Sequence, residues 1–287
     1  MPRIAYVNGR YLPHAKARIH IEDRGYQFAD GVYEVCQIAG GTLVDVTRHL
    51  DRLDRSLGEL RISWPMGRRA LEAVITEVVR RNRVRDGMVY IQITRGEAPR
   101  DHAFPPEGTR PSLVVTAKRI DPVKAEARAA EGVKVVTLPD NRWSRVDIKT
   151  VGLLPNVLAR QQAREAGAGE AWFVDADGMV TEGAATNAWI VTGDGRLVTR
   201  HADFAILRGV TRMTLLDAAA KLGLTVEERA FSVEEAKAAA EAFISGATTV
   251  VMPVIAIDGA PVGNGRPGRT ALALRATFFD VAEKMPA

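Results

Sequence analysis

Apolar side chains recur twice at helical spacing in the first third of the chain, between runs that alternate like strands, and this restricts the fold more than any other feature. Leu50, Leu53, Leu57 and Leu60 follow Thr47, which reads as a helix N-cap, and Leu71, Val74, Ile75, Val78 and Val79 repeat the pattern. Each helix has one apolar face and needs a sheet to cover it. Residues 4–7, 32–38, 88–94 and 112–118 are β-rich, with turn dipeptides at Asn8-Gly9 and Gly40-Gly41. The expectation is an α+β fold with antiparallel strands.

Between the last two of these runs, residues 96–111 hold four prolines and two glycines and read as a long loop. Loops of that length in a packed domain are often functional. After Asp121-Pro122 the chain becomes richer in alanine, so the domain boundary is placed near 119–124. This gives a smaller domain over 1–120 and a larger one over 121–287. In the second, strands are expected at 133–138, 170–174 and 188–192, with turns at 175–178 and 193–195 and a helix over 210–222. Ser232 and Glu235 have capping-box spacing and open a helix reaching Ala240.

Several functions lose support from the same reading. The 287 residues carry a net charge of +4, but the arginines alternate with acids, as in Asp51-Arg52-Leu53-Asp54-Arg55, and the basic stretch at 80–85 ends a helix. Neither pattern makes a nucleic-acid face. The opening MPRIAYVNGRY has no long apolar stretch and no run spans a membrane, so a cytoplasmic protein is expected. Cys36 is the single cysteine and reads as a small buried hydrophobe. The histidines at 14, 20, 49, 102 and 201 are scattered, so no metal is expected. Residues 263–268 fit G-x-G-x-x-G, but they follow a turn at Asp258-Gly259 rather than opening a first βαβ unit, and no acidic residue about 20 positions on ends a second strand. They read as a loop before a C-terminal helix.

Lys149 stands out because it lies between Ile148 and a mostly apolar turn leading to a helix. On this stretch alone it is either a snorkelling surface lysine or a lysine kept for chemistry. Residues 22–34 (EDRGYQFADGVYE), His49-Leu50-Asp51-Arg52-Leu53, Thr94-Arg95-Gly96, Pro99-Arg100-Asp101-His102, Asp147-Ile148-Lys149, Thr181-Glu182-Gly183 and Gly209-Val210-Thr211-Arg212 occur in that order. With them the chain resembles the class IV aminotransferases, the fold-type IV pyridoxal-phosphate enzymes, and within that family the bacterial D-amino-acid transaminases. The resemblance runs from about Tyr6 to about Phe279.

The resemblance implies a two-domain α+β fold with pyridoxal 5'-phosphate in the cleft between domains. Lys149 would be the Schiff-base lysine and proton carrier. Glu182 would be the carboxylate beside the pyridine nitrogen, and Arg52 a phosphate ligand. Val210 and Thr211 at a helix start, with Thr248 in a second turn, would complete the phosphate site. Tyr33, Arg100 and His102 would hold the substrate carboxylate, with the 96–111 loop reaching the other subunit of a homodimer. The implied reaction transfers an amino group from a D-amino acid, such as D-alanine, to a 2-oxo acid such as 2-oxoglutarate. Relatives acting on (R)-amines, branched-chain L-amino acids or aminodeoxychorismate share the fold. Ala184, Ala185 and Ala247 stand where relatives often carry hydroxyls, which implies fewer hydrogen bonds near the cofactor.

Overall fold

The computed structural model describes residues 3–287. One unit takes in the chain up to Asp121 together with Ile148–Gly152 and Glu283–Ala287; the other takes in Pro122–Asp147 and Leu153–Ala282.

In the first unit lie strands β1 (Ile4–Val7), β2 (Arg10–Pro13), β3 (Gly31–Ala39), β4 (Thr42–Val44), β5 (Gly87–Thr94) and β6 (Ser112–Arg119), with helices α1 (Arg24–Phe28), α2 (Val46–Glu59) and α3 (Arg68–Asn82). The sheet runs β4-β3-β5-β6-β1-β2, with every neighbouring pair antiparallel. Alternation sends Val32, Cys36 and Ile38 of β3, Val89, Ile91 and Ile93 of β5, and Leu113 and Val115 of β6 to one face. Leu50, Leu53 and Leu57 of α2 and Leu71, Ile75 and Val78 of α3 pack on that face. Each such burial contributes roughly 1.5–3 kcal/mol. Glu34 lies in the same inward row and is 0% exposed, so β3 carries a carboxylate into the core.

The start of α2 differs from expectation. Thr47 is not the N-cap; the helix begins at Val46, and Asp45 before it is left-handed (φ 53°) with no side-chain cap bond. Glu283, 236 positions away, supplies the missing acceptor: its carboxylate takes hydrogen bonds from Thr47 N at 3.0 Å and Thr47 Oγ1 at 2.7 Å. An anion there also complements the positive helix end.

The second unit contains strands β7 (Val133–Pro139), β8 (Glu170–Val174), β9 (Val180–Gly183), β10 (Asn187–Val191), β11 (Leu197–Thr199), β12 (Val226–Glu228), β13 (Glu241–Gly246), β14 (Val250–Ile257) and β15 (Ala260–Pro261). Its helices are α4 (Pro122–Glu131), α5 (Leu154–Glu165), α6 (Val210–Lys221), α7 (Val233–Ala238) and α8 (Arg269–Val281). The sheet is mixed, in the order β12-β11-β10-β13-β14-β7-β8-β9, with β15 on β14. Trp172, Ile190, Phe231, Ile244 and Val254 lie in its core. Ser232 accepts from Glu235 N at 3.0 Å, half of the expected capping box. The Glu235 carboxylate binds Arg229 instead of closing the box, and α7 stops at Ala238, short of Ala240. Finally β16 (Lys284–Pro286) pairs antiparallel with β4 as the edge of the first unit's sheet. No helix among the described residues is long and apolar enough to cross a membrane.

Candidate active site

Lys149 is fixed to β3 through the backbone. Tyr33 N donates to Lys149 O at 3.0 Å and Val151 N donates to Gly31 O at 3.1 Å, while Lys149 N donates to Ser56 Oγ at 3.4 Å. Its side chain is half-buried, and Nζ sits 4.2 Å from the centre of the Tyr33 ring. Tyr33 also stacks on Tyr90 at 5.6 Å, and the Tyr90 hydroxyl donates to Gln92 Oε1. Burial, with the neighbouring Tyr33, pushes the Tyr90 phenol up to about 12.

The next residue on β3 faces the opposite way. Glu34 accepts from Arg52 Nε at 2.7 Å and Nη2 at 2.8 Å, and its Oε2 lies 2.7 Å from His49 Nδ1. Burial opposes ionisation of Glu34, but the Arg52 charge and these bonds outweigh it and hold the carboxyl far below the usual range. Burial pushes His49 down, towards the neutral ring. An ionised carboxylate can only accept, so the His49 proton is on Nδ1. Arg52 also lies within electrostatic reach of Tyr33, the ring against which Lys149 Nζ rests, and Lys149 N bonds Ser56, one turn further along α2. Glu34 and His49 as the partners of Arg52 escaped the sequence reading, although a glutamate in an apolar alternation was the available signal.

Arg100 and His102 are both exposed in the 96–111 loop and converge on one ring. Arg100 Cζ is 5.0 Å from the Phe28 centroid and the His102 ring 5.4 Å from it. Among the described residues, no hydrogen bond or ring contact joins Tyr33 to either. The three residues grouped by the resemblance thus form two clusters in one chain.

In the second unit Glu182 is on β9, a strand absent from the sequence-based expectation, and is 6% exposed. Its Oε1 accepts from Arg142 Nη1 at 2.6 Å, and its Oε2 from Asn187 Nδ2 at 3.0 Å and Leu207 N at 3.1 Å. Arg142 is also gripped by Asp140 at 2.9 and 2.7 Å and stacks over Phe173 at 4.4 Å. Burial disfavours the Asp140 charge, yet the Arg142 bonds hold that carboxyl below its ordinary value. No local pattern singles out Arg142, because its partners come from three separate segments.

Asn187 links this carboxylate to a helix start. Its Nδ2 also donates to Leu207 O, and a Cβ on Gly209 would lie 2.0 Å from its Oδ1. Gly209 is the N-cap of α6, and Val210 and Thr211 open that helix. Asn187 pairs with Ser245 of β13, whose far end leads into the turn carrying Thr248. Arg275 of α8 pins that turn by donating to Thr249 O and Val251 O, both at 2.7 Å.

These donors suit pyridoxal phosphate. A carboxylate ion-paired with Arg142 is the kind of partner a protonated pyridine nitrogen needs. A twelve-residue helix begun by glycine, with no side chain over its first N–H groups, suits a phosphate. Within the first unit stand an amine held against an aromatic ring and a guanidinium locked in orientation.

The amino-transferase class IV model matches residues 31–257. The D-alanine aminotransferase of Bacillus licheniformis is 41% identical over 261 residues, covering 91% of this chain and 90% of that protein. The Listeria innocua D-alanine aminotransferase is 37% identical over 96% of this chain and 94% of its own length. The fold matches an Escherichia coli branched-chain amino acid aminotransferase with a TM-score of 0.89 at 24% identity, covering 98% and 95% of the two chains. A hypothetical aminotransferase from Mycobacterium tuberculosis, solved in a PLP-bound form, matches with a TM-score of 0.83 at 22% identity, covering 97% and 98%. A family model over most of its length and relatives this similar end to end place the chain in the class IV aminotransferases, enzymes that work with pyridoxal phosphate.

Proposed function

We propose that the chain is a D-amino-acid transaminase, passing the amino group of D-alanine or a similar D-amino acid to a 2-oxo acid such as 2-oxoglutarate in ping-pong order. The observation that carries this reading is the Arg100–His102 pair seated together on Phe28, a ready receptor for a carboxylate. The names of the relatives at 41% and 37% identity support the same substrate class.

Bound pyridoxal phosphate supplies the electron sink that makes a substrate Cα–H bond acidic. Lys149 Nζ anchors the cofactor and, when released and neutral, takes the proton from the substrate Cα. Glu182, ion-paired with Arg142, would favour the protonated form of the ring nitrogen. Arg52, the first N–H groups of α6 at Val210 and Thr211, and the Thr211 and Thr248 hydroxyls hold the phosphate. Tyr33, Arg100 and His102 hold the substrate carboxylate. The separation of Tyr33, beside Lys149, from Arg100 and His102 supports a homodimer as the working unit, in which the 96–111 loop of one subunit serves the other's site.

The test is a donor comparison with 2-oxoglutarate as acceptor. D-Alanine is expected to give pyruvate, and L-alanine and (R)-1-phenylethylamine to give little product. Arg100→Ala should raise KM for D-alanine about tenfold or more, as expected for loss of a charge-assisted bond. A preference for L-alanine or for the amine would overturn the reading.

A further inference from the structure

We infer that Phe28, backed by Arg24 and Asp30, is the positioning residue of the substrate-carboxylate clamp, its ring setting the directions of Arg100 and His102. This rests on the reading of those two residues as carboxylate ligands. The support begins below the ring. Asp23 caps α1 by accepting from Gly25 N at 2.9 Å, and Thr94 Oγ1 donates to the same carboxylate at 2.9 Å. A Cβ at Gly25 would come within 2.2 Å of Thr94 Cγ2, so α1 lies hard against the end of β5. Ala29, left-handed at φ 55°, ends the helix directly after Phe28. The ring therefore projects from a short, fixed platform.

The loop is tied to that platform at its base and at its middle. Gly96, at φ 101°, approaches Arg110 O so closely that a Cβ would lie 2.0 Å away, which closes the base. Arg24 N donates to Gly96 O at 2.9 Å. Arg24, 3% exposed, donates from Nη1 to Asp101 O at 2.6 Å, at the residue between Arg100 and His102. Its Nε bonds Asp30, which Arg95 grips through two further bonds at 2.7 and 2.9 Å. With Asp101 fixed, the flanking side chains fall on one ring, and Arg24 Cζ lies 4.8 Å from the same centroid.

A ring under a guanidinium attracts the cation while leaving the donors, which lie in its own plane, available to a carboxylate. Two long exposed side chains lose rotamer freedom when a ligand orders them, and the ring contact removes part of that loss beforehand. Phe28 thus acts through Arg100 and His102 without touching substrate.

The experiment uses the holoenzyme, with Phe28→Leu, Phe28→Met and Phe28→Tyr compared in wild-type and Arg100→Ala backgrounds. Steady-state kinetics with D-alanine and absorbance titration with pyridoxal phosphate are the readouts. Removing the ring is expected to raise KM about tenfold, with kcat within about twofold and cofactor affinity unchanged. Phe28→Tyr should stay near wild type. In the Arg100→Ala background the ring-deleting changes should add clearly less than in wild type, since only the part of the ring's effect that runs through His102 remains. Should Phe28→Leu fail to fold, the volume-conserving Phe28→Met supplies the reading. An unchanged KM, or an equal further rise without Arg100, overturns the inference. If Arg100→Ala itself leaves KM unchanged, the clamp reading fails as well, which separates the two failures.

Discussion

Glu34 grips Arg52 through both carboxylate oxygens, at 2.7 Å to Nε and 2.8 Å to Nη2, inside an otherwise apolar layer. Removing one member of a buried pair leaves the other charged and unmatched, at a cost of about 3–5 kcal/mol. Glu34→Gln is therefore expected to lower stability by that order and to weaken pyridoxal phosphate binding, because Arg52 loses its fixed direction. Urea denaturation and an absorbance titration with the cofactor check both parts.

His49 gives stability a defined pH dependence. Burial depresses its folded-state pKa, whereas the unfolded residue titrates near ~6.5. Below that pH the unfolded chain binds a proton that the folded chain refuses, so stability falls as pH drops from about 6.5 towards the folded value. Glu34, also depressed, contributes stability that is present above its unfolded value of about 4.3 and is lost as pH falls below it. Thermal unfolding between pH 7 and pH 5 should show a shallower slope in His49→Gln than in wild type.

Arg142 is the shared cation of Asp140 and Glu182. Arg142→Gln leaves the buried Glu182 and the partly buried Asp140 without their shared cation, and a stability loss of about 3 kcal/mol or more follows. Activity should fall with it, because Glu182 then holds its own proton more readily and serves the ring nitrogen less well. Wild-type urea curves and turnover in this variant would contradict the role given to Arg142.

At Gly209 a Cβ would stand 2.0 Å from Asn187 Oδ1. Gly209→Ala must push Asn187, and with it the bonds to Glu182 and Leu207, at about 1–3 kcal/mol of overpacking strain. Pyridoxal phosphate affinity, measured by equilibrium dialysis, is expected to drop about tenfold or more.

The parts of this molecule that repeat along the chain were legible in it. The leucine spacing of α2, the alternation of β3 and the β-rich runs of β5 and β6 are local patterns, and the structure realises each. Glu283 capping α2 was not legible, because its partner is 236 positions away and nothing near either residue signals the pairing. The strand under Glu182 was hidden for another reason: β9 is only four residues long and pairs with β8 across a register shift. Lys149, ambiguous within its own segment, becomes distinctive only once Tyr33 is placed beneath it by a strand more than a hundred residues earlier.

The most direct measurement mixes the pyridoxal-phosphate-loaded enzyme with D-alanine, and separately with L-alanine, and follows the visible absorbance of the bound cofactor through one half-reaction. Wild type should lose that absorbance with D-alanine, in step with pyruvate formation, and keep it with L-alanine, while Lys149→Ala should lack the lysine-bound band from the start. Bleaching by L-alanine alone, or an unchanged band in Lys149→Ala, would contradict a D-amino-acid transaminase anchored at Lys149.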